Sequence, residues 1–481
     1  MRSGAWTAIL ICCSLVPAQG QLSVTAFYAG WSQGWSNNGV LPADKIDYSA
    51  ATNIIHFALF PRIDGTLDAS SNSILQENSS QLISRAHAAG KKVLISVGGW
   101  NSDAAFRVAT APLFAPLFVN NLRDFIVARG YDGVDIDWEI LDQADSMQYL
   151  SFVSLLRSRF LGIRPRPLIT AAAAWCPGII AAASQYLDQI DIMTYDLSGP
   201  WPGWVTWHNS PVKGGGYVFP GTSRPVPSID ALVDQFAAAG VPKQKITIGI
   251  DFYGYIWSGG NGTSTGGVTG PRQTWTLSPQ VQPNVPYSVI YQEYYRPEYY
   301  RWDAEAEAAY LSISADSVSG DKFISYDEEN SCRHKVAYAR DKGIAGVFIW
   351  ELGGGFLPEG YPERDRLLQS VKKATGGGGI RIFAAEPSGY SLRQNYPNPF
   401  NPTTTIDYEL PVESNVILKV FDGSGRQVAR LVSGSQSAGN HRVQWDAGRL
   451  ASGAYSYRLE STDVTNPART FTQTKRAVFL K

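Results

Sequence analysis

The run Tyr131–Glu139, YDGVDIDWE, places carboxyl groups at Asp135, Asp137 and Glu139, two residues apart. Val134, Ile136 and Trp138 between them are strand formers, and on a β-strand residues spaced by two share a face. Three like charges on one side of an apolar strand are costly unless they share protons or serve a substrate. One carboxyl kept protonated by its neighbours and by burial is a candidate proton donor, and Glu139 is last in the row. Calcium is the competing reading, because Asp-x-Asp-x-Glu supplies oxygen ligands. A calcium loop wants turn residues and glycine between its ligands, whereas Ile136 and Trp138 separate these three acids. The five histidines (56, 87, 208, 334 and 441) lack metal-ligand spacing, so no metal or other cofactor is expected.

Such a strand needs a scaffold, and the chain alternates short apolar runs with helical stretches from Ser23 to about Lys373. Strands are predicted at Val24–Trp31, Asn53–Phe60, Lys92–Trp100, Gly133–Glu139, Leu168–Trp175, Ile190–Asp196, Lys245–Gly254 and Ala345–Leu352. Helices are predicted at Asn78–Ala89, Pro112–Ala128 and Ser146–Phe160. Eight β-then-α units predict an α/β fold, a (β/α)₈ (TIM) barrel, with the carboxylates at the C-terminal end of its fourth strand, where barrel active sites lie. An open doubly wound sheet would carry a Gly-rich phosphate turn after its first strand, and none is present. Residues 256–322 interrupt the rhythm and are predicted to form a small α+β module on the C-terminal face, with strand-like pieces at Tyr287–Tyr291 and Ala309–Ile313.

Composition limits the partners. A net charge of −1 among 481 residues gives no reason to expect nucleic acid, and no later stretch is apolar enough to span a membrane. Residues 1–20 read as a secretory signal, with Arg2, an apolar run from Ala8 to Val16 and small residues at the cleavage site. The expected location is therefore secreted or cell-surface. Cys176 and Cys332 remain in the mature chain and could pair in an oxidising compartment. Most of the 14 Trp, 24 Tyr and 20 Phe are expected to pack the core, and a minority are candidates to stack on sugar rings.

Taken together, Asp132, Asp135, Asp137 and Glu139 resemble the Asp-x-x-Asp-x-Asp-x-Glu signature of glycoside hydrolase family 18, the chitinase family. Ser96-Val97-Gly98-Gly99 before Trp100, Met193-Thr194-Tyr195-Asp196, Tyr326-Asp327 before the Lys335 helix, and Gly346–Glu351 resemble further motifs of that family, in its order. The resemblance implies a retaining hydrolase of β-1,4 bonds between N-acetylglucosamine units, in which the substrate's own acetamido oxygen is the nucleophile. Glu139 would be the general acid, Asp137 would orient the acetamido nitrogen, Asp135 would share a proton with Asp137, and Tyr195 would bind the acetamido oxygen. Trp350 would underlie the reacting sugar. Asp196, Met193, Trp100, Trp201, Tyr253, Tyr28 and Phe57 complete the implied substrate-binding set. Chitin, or another N-acetylglucosamine-containing glycan such as an N-glycan core or peptidoglycan, is the implied partner; a chitin-binding lectin on the same fold is the non-enzymatic alternative. Three positions depart from the pattern: Phe27-Tyr28 where a Tyr pair is frequent, Tyr255 where Arg is common, and Gly353-Gly354-Gly355 where Ser-Gly-Asp is usual.

A Gly-rich linker is predicted at 374–389, and 390–481 shows short alternating runs punctuated by Gly, Asn and Pro, the pattern of a β-sandwich. The run Gln394–Pro402, QNYPNPFNP, and the ending Lys475–Lys481 resemble the C-terminal sorting domain of type IX secretion cargo, which implies bacterial secretion machinery as a second partner. Trp445, Tyr455 and Tyr457 support a rival reading, a carbohydrate-binding module.

Overall fold

The computed structural model describes residues 22–262, 266–376, 390–395, 397–412, 414–436, 439–448, 450–464 and 466–481. The signal-peptide reading at 1–20 lies outside the described residues, as does the linker reading beyond Gly376. Eight parallel strands form the expected barrel: β1 (Ser23–Ala29), β2 (Asn53–Pro61), β3 (Lys92–Gly99), β4 (Gly133–Trp138), β5 (Leu168–Ala173), β6 (Gln189–Ile192), β7 (Ile246–Asp251) and β8 (Gly346–Trp350). Each pairs with the next, and β8 pairs back onto β1, Val24 opposite Val347, so the sheet closes.

Alternation along each strand sorts the side chains between two cores. Val134 and Ile136 of β4 join Val93, Ile95, Ile169 and the helix residues Phe118, Leu122, Phe152 and Val153 outside the barrel. Trp138 also faces outward, its ring stacked 4.7 Å from Phe106. Asp135 and Asp137 are therefore turned into the lumen, in register with Ser96 and Gly98 of β3. Gly98 has no alternative: a Cβ there, at φ +117°, would lie 1.9 Å from the Asp137 carbonyl oxygen.

Residues 253–326 form the inserted module, a five-stranded antiparallel sheet ordered Gln280–Pro286, Tyr253–Ser258, Lys322–Tyr326, Ala308–Ile313, Tyr300–Asp303. Its first and last strands overrun the expected bounds, because Tyr253 leaves β7 directly into the module. Tyr287–Tyr291 is helical rather than a strand. The reason lies in spacing of four: Tyr287, Tyr291 and Tyr295 stack in succession, centroids 5.6 and 5.2 Å apart, a helical periodicity. The helix predicted at Pro112–Ala128 is found at Ala115–Arg129, and a further short helix, Asp103–Ala109, precedes it. Cys176 and Cys332 are free thiols, not a pair.

The C-terminal residues form two sheets, three strands (Ser391–Leu392, Thr403–Leu410, Gly439–Asp446) and four (Gln427–Gln436, Ser414–Phe421, Gly453–Asp463, Thr470–Phe479). Alternate residues such as Ile406, Tyr408, Leu418 and Leu459 are buried between them. Gln427–Gln436 escapes sequence detection because none of its residues is fully buried, so its alternation is faint. Trp445, Tyr455 and Tyr457 are buried, at 2%, 7% and 0% exposure, and belong to this core. They offer no face to a sugar, which removes the argument for a carbohydrate-binding module. Trp445→Ala should accordingly destabilise this domain by about 3–5 kcal/mol in denaturant unfolding; a surface sugar platform would lose glycan binding with no such cost.

Candidate active site

The lumen of the barrel holds a column of acids. Asp135, fully buried, accepts from Ser96 Oγ at 2.9 Å and from Thr170 Oγ1 at 2.7 Å. Asp137 lies next along β4, hydrogen bonded to Glu139 just beyond the strand, with its Oδ1 buried and unpartnered. Asp191 on β6, also fully buried, accepts from Gln189 Nε2 at 2.7 Å and from Thr247 Oγ1. Among the described residues no cation forms an ion pair with any of these four carboxyl groups.

Protons replace the missing cations. Burial pushes Asp135 up to about 6, against the pull of the Thr170 and Ser96 hydroxyls. Burial also pushes Asp191 up to about 7, reinforced by the charge of Asp135. Asp137 rises well above the usual carboxylate range through burial, with Glu139 and Asp135 adding like-charge repulsion. Glu139, nearer the opening, is raised to about 7 by burial, offset by its hydrogen bond from Asp137. A glutamic acid that keeps its proton to neutrality, backed by a buried acid that can take or lend one, is equipped for proton donation.

Around the column stands an aromatic wall. Phe27, Phe57, Tyr195, Tyr253 and Phe348 form one cluster, with Met193 and Trp350 packed against it. The Trp350 ring meets Phe57 edge-on at 4.7 Å and Phe27 at 5.5 Å, so it is fixed while part of it stays open. Gly249 makes room for Tyr195, since a Cβ there would lie 2.6 Å from the tyrosine ring. Asp196, exposed to the cleft, accepts from the Tyr253 hydroxyl at 2.6 Å and the Tyr255 hydroxyl at 3.0 Å.

The structure thus gathers Asp135, Asp137, Glu139, Tyr195, Asp196, Met193, Tyr253, Phe57 and Trp350 into one site. Trp100 and Trp201 stand apart from that cluster, 66% and 46% exposed, Trp100 at the end of β3 and Trp201 in the segment after β6, edge-on to Trp204. Tyr28 is a correction. It points out of the barrel, fully buried against His56, and its hydroxyl donates to the Leu41 carbonyl at 2.6 Å. Phe27, one residue earlier, is the side chain that faces the site, because a shift of one residue along a strand changes its face. Sequence reasoning missed Asp191, although Asp191, Met193 and Tyr195 repeat the spacing of two that revealed the first three acids. It also missed Trp31, which packs on Phe57 and Trp350. Tyr255, set down only as a departure from the family pattern, anchors Asp196.

Burial of the acids has a stability consequence. The native Asp137 carboxyl holds its proton above the pH at which the unfolded chain releases it, near 3.9. Its burial is therefore free of penalty below about pH 4 and increasingly destabilising as pH rises through the native value. Asp137→Asn should raise the unfolding free energy by about 1–2 kcal/mol at pH 8, with the gain vanishing near pH 4 in thermal melts.

Similarity to known proteins falls in two separate stretches. Residues 23–355 match the family described as glycosyl hydrolases family 18, and residues 401–464 match the FlgD Ig-like domain. Chitinase A1 of Niallia circulans is 31% identical over 342 residues, 62% of this chain and 44% of that protein. A class V chitinase of Arabidopsis thaliana is 27% identical over 341 residues, 66% of this chain and 84% of that one. The chain spans less than half the length of the first curated relatives it matches. Among solved structures, a family 18 N-acetylglucosaminidase from Paenibacillus barengoltzii superposes with TM-score 0.59 at 25% identity, over 73% of this chain and 99% of that one. A group IV chitinase of Ostrinia furnacalis superposes with TM-score 0.61 at 21% identity, over 74% of this chain and 99% of that one, a likeness of fold. With the match running from the first barrel strand past the last, the chain belongs to glycosyl hydrolase family 18.

Proposed function

We propose that the protein is a secreted chitinase that cleaves β-1,4 bonds between N-acetylglucosamine units with retention, using Glu139 as general acid. The observation that carries this reading is the Asp137–Glu139 pair, buried without a cation beside the aromatic wall. Glu139, protonated to about pH 7, donates to the glycosidic oxygen. No further carboxylate is asked to act as nucleophile, since the acetamido oxygen of the bound sugar attacks its own anomeric carbon. Asp137 accepts from the acetamido N–H as positive charge develops on the ring so formed, and Asp135 behind it takes up the charge imbalance. The Tyr195 hydroxyl donates to the acetamido oxygen, and the face of Trp350 stacks on the sugar. Names of relatives support this substrate class, with Niallia circulans, Drosophila melanogaster and Caenorhabditis elegans all represented by chitinases or probable chitinases.

The same machinery would serve the N-acetylglucosamine of an N-glycan core or of peptidoglycan. An assay on the three substrates, read by mass spectrometry, sorts them; the proposal expects cleavage of chitin oligomers. We also propose that residues 390–481 sort the enzyme for export, the support being the Gln394–Pro402 run and the Ig-like sandwich. Secretion of a reporter fused to these residues, from a bacterium possessing the type IX system, tests that.

Two results are expected of the purified chain. Glu139→Gln should lower kcat on N-acetylglucosamine hexamer by about 10²–10⁴-fold with substrate binding retained; activity like that of wild type would end the proton-donor assignment, and binding without turnover by wild type would indicate a lectin. The pH profile of kcat/KM should fall on its alkaline side with an apparent pKa near 7, because Glu139 must enter the reaction protonated.

A further inference from the structure

The loop between β6 and the helix Ile229–Ala238 carries three consecutive buried residues, His208, Asn209 and Ser210, each gripped by a different partner. His208 Nε2 meets Asp303 of the inserted module at 3.0 Å, and Asp303 is held in turn by Arg272. The Asn209 N–H donates to Ser325 Oγ of the module's Lys322–Tyr326 strand at 2.8 Å, and its side-chain amide donates to Asp251 Oδ2 at the end of β7 at 2.6 Å. Ser210 Oγ accepts from Lys335 Nζ at 2.6 Å and donates to the Thr194 carbonyl, also at 2.6 Å.

These contacts converge on the turn that follows Thr194. Asp196 adopts φ +58°, a left-handed conformation that side chains other than Gly, Asn and Asp seldom take. Its N–H donates to Asn209 Oδ1 at 3.1 Å, and the next N–H, of Leu197, donates to the Asn209 carbonyl at 3.0 Å. One residue therefore fixes both amides of the turn that presents Tyr195 and Asp196. Behind it Lys335, fully buried, joins Asp251 at 3.0 Å and Asp327. Burial works against its ammonium, but the two aspartates outweigh it and keep it charged. We propose that Asn209 and Ser210, anchored through Lys335 to β7 and to the inserted module, are positioning residues that hold Tyr195 and Asp196 against the substrate's acetamido group.

The inference rests on the functional reading above and deepens it. It makes the module part of the catalytic apparatus, because Ser325 reaches the site through this clamp. Asn209 and Ser210 are buried behind the turn, so each acts through Asp196 or Tyr195, and the signature of that is non-additivity.

The test uses the full chain and N-acetylglucosamine hexamer, at a temperature well below the melting point of every variant. Asn209→Ala and Ser210→Ala should each lower kcat by about 10-fold or more while KM stays within about 3-fold. In an Asp196→Ala background, Asn209→Ala should cost no more than about 2-fold further. Ser210→Ala removes one hydroxyl without leaving a charge unpaired, and keeps the test alive should Asn209→Ala fold poorly. Unchanged kcat, an effect confined to KM or melting temperature, or full additivity with Asp196→Ala would overturn the inference while leaving the function intact. A wild-type chain that leaves the hexamer uncut would instead defeat the functional reading, and the inference with it.

Discussion

Four clustered carboxyl groups, three of them buried, with no cation paired to them among the described residues, are the constraint on which the rest of this structure depends. Asp191, Asp135, Asp137 and Glu139 share the barrel interior with hydroxyls, an amide, aromatic rings and aliphatic side chains such as Ile55 and Leu94. Ionising all four together would place like charges in a medium that screens them poorly. Each therefore retains a proton into the range where carboxylates are normally bare, and a retained proton near neutral pH is what an acid catalyst requires.

The opposite solution lies a few residues away. Asp251 and Asp327 are as deeply buried, yet they share Lys335. One ammonium serves both, while burial and the charge of Asp327 hold the Asp251 carboxyl well above the usual carboxylate range, and the cluster works as a mechanical joint between barrel, module and the Tyr195–Asp196 turn. Chemistry and scaffolding thus use the same residue types, separated by whether a counter-ion is supplied. Around the first cluster, Gly98 and Gly249 are small because Asp137 and Tyr195 need the space. Those glycines belong to the site as fully as the acids do.

Much of this was legible in the amino-acid order. The spacing of two in Asp135, Asp137 and Glu139 announces a shared strand face, and eight apolar runs announce a closed parallel sheet. What escaped was whatever depends on which face or which distant segment is meant. Phe27 and Tyr28 are both aromatic and adjacent, and only strand register turns one inward. His208–Ser210 is unremarkable as a sequence, since the partners that anchor it, from Asp251 to Lys335, lie 42 to 125 residues away in the chain. The tyrosines at 287, 291 and 295 did carry a helical signal, overlooked beside their strand propensity.

The proton count in the lumen can be observed without any substrate. Carboxyl ¹³C resonances of Asp135, Asp137 and Glu139, assigned through single Asn or Gln variants, should be followed from pH 4 to 9. Glu139 is expected to titrate near 7 and Asp137 to stay protonated well above the normal carboxylate range. If all three instead lose their protons below about pH 5, as ordinary carboxylates do, then the lumen holds no stored proton and Glu139 is not set up to be the acid.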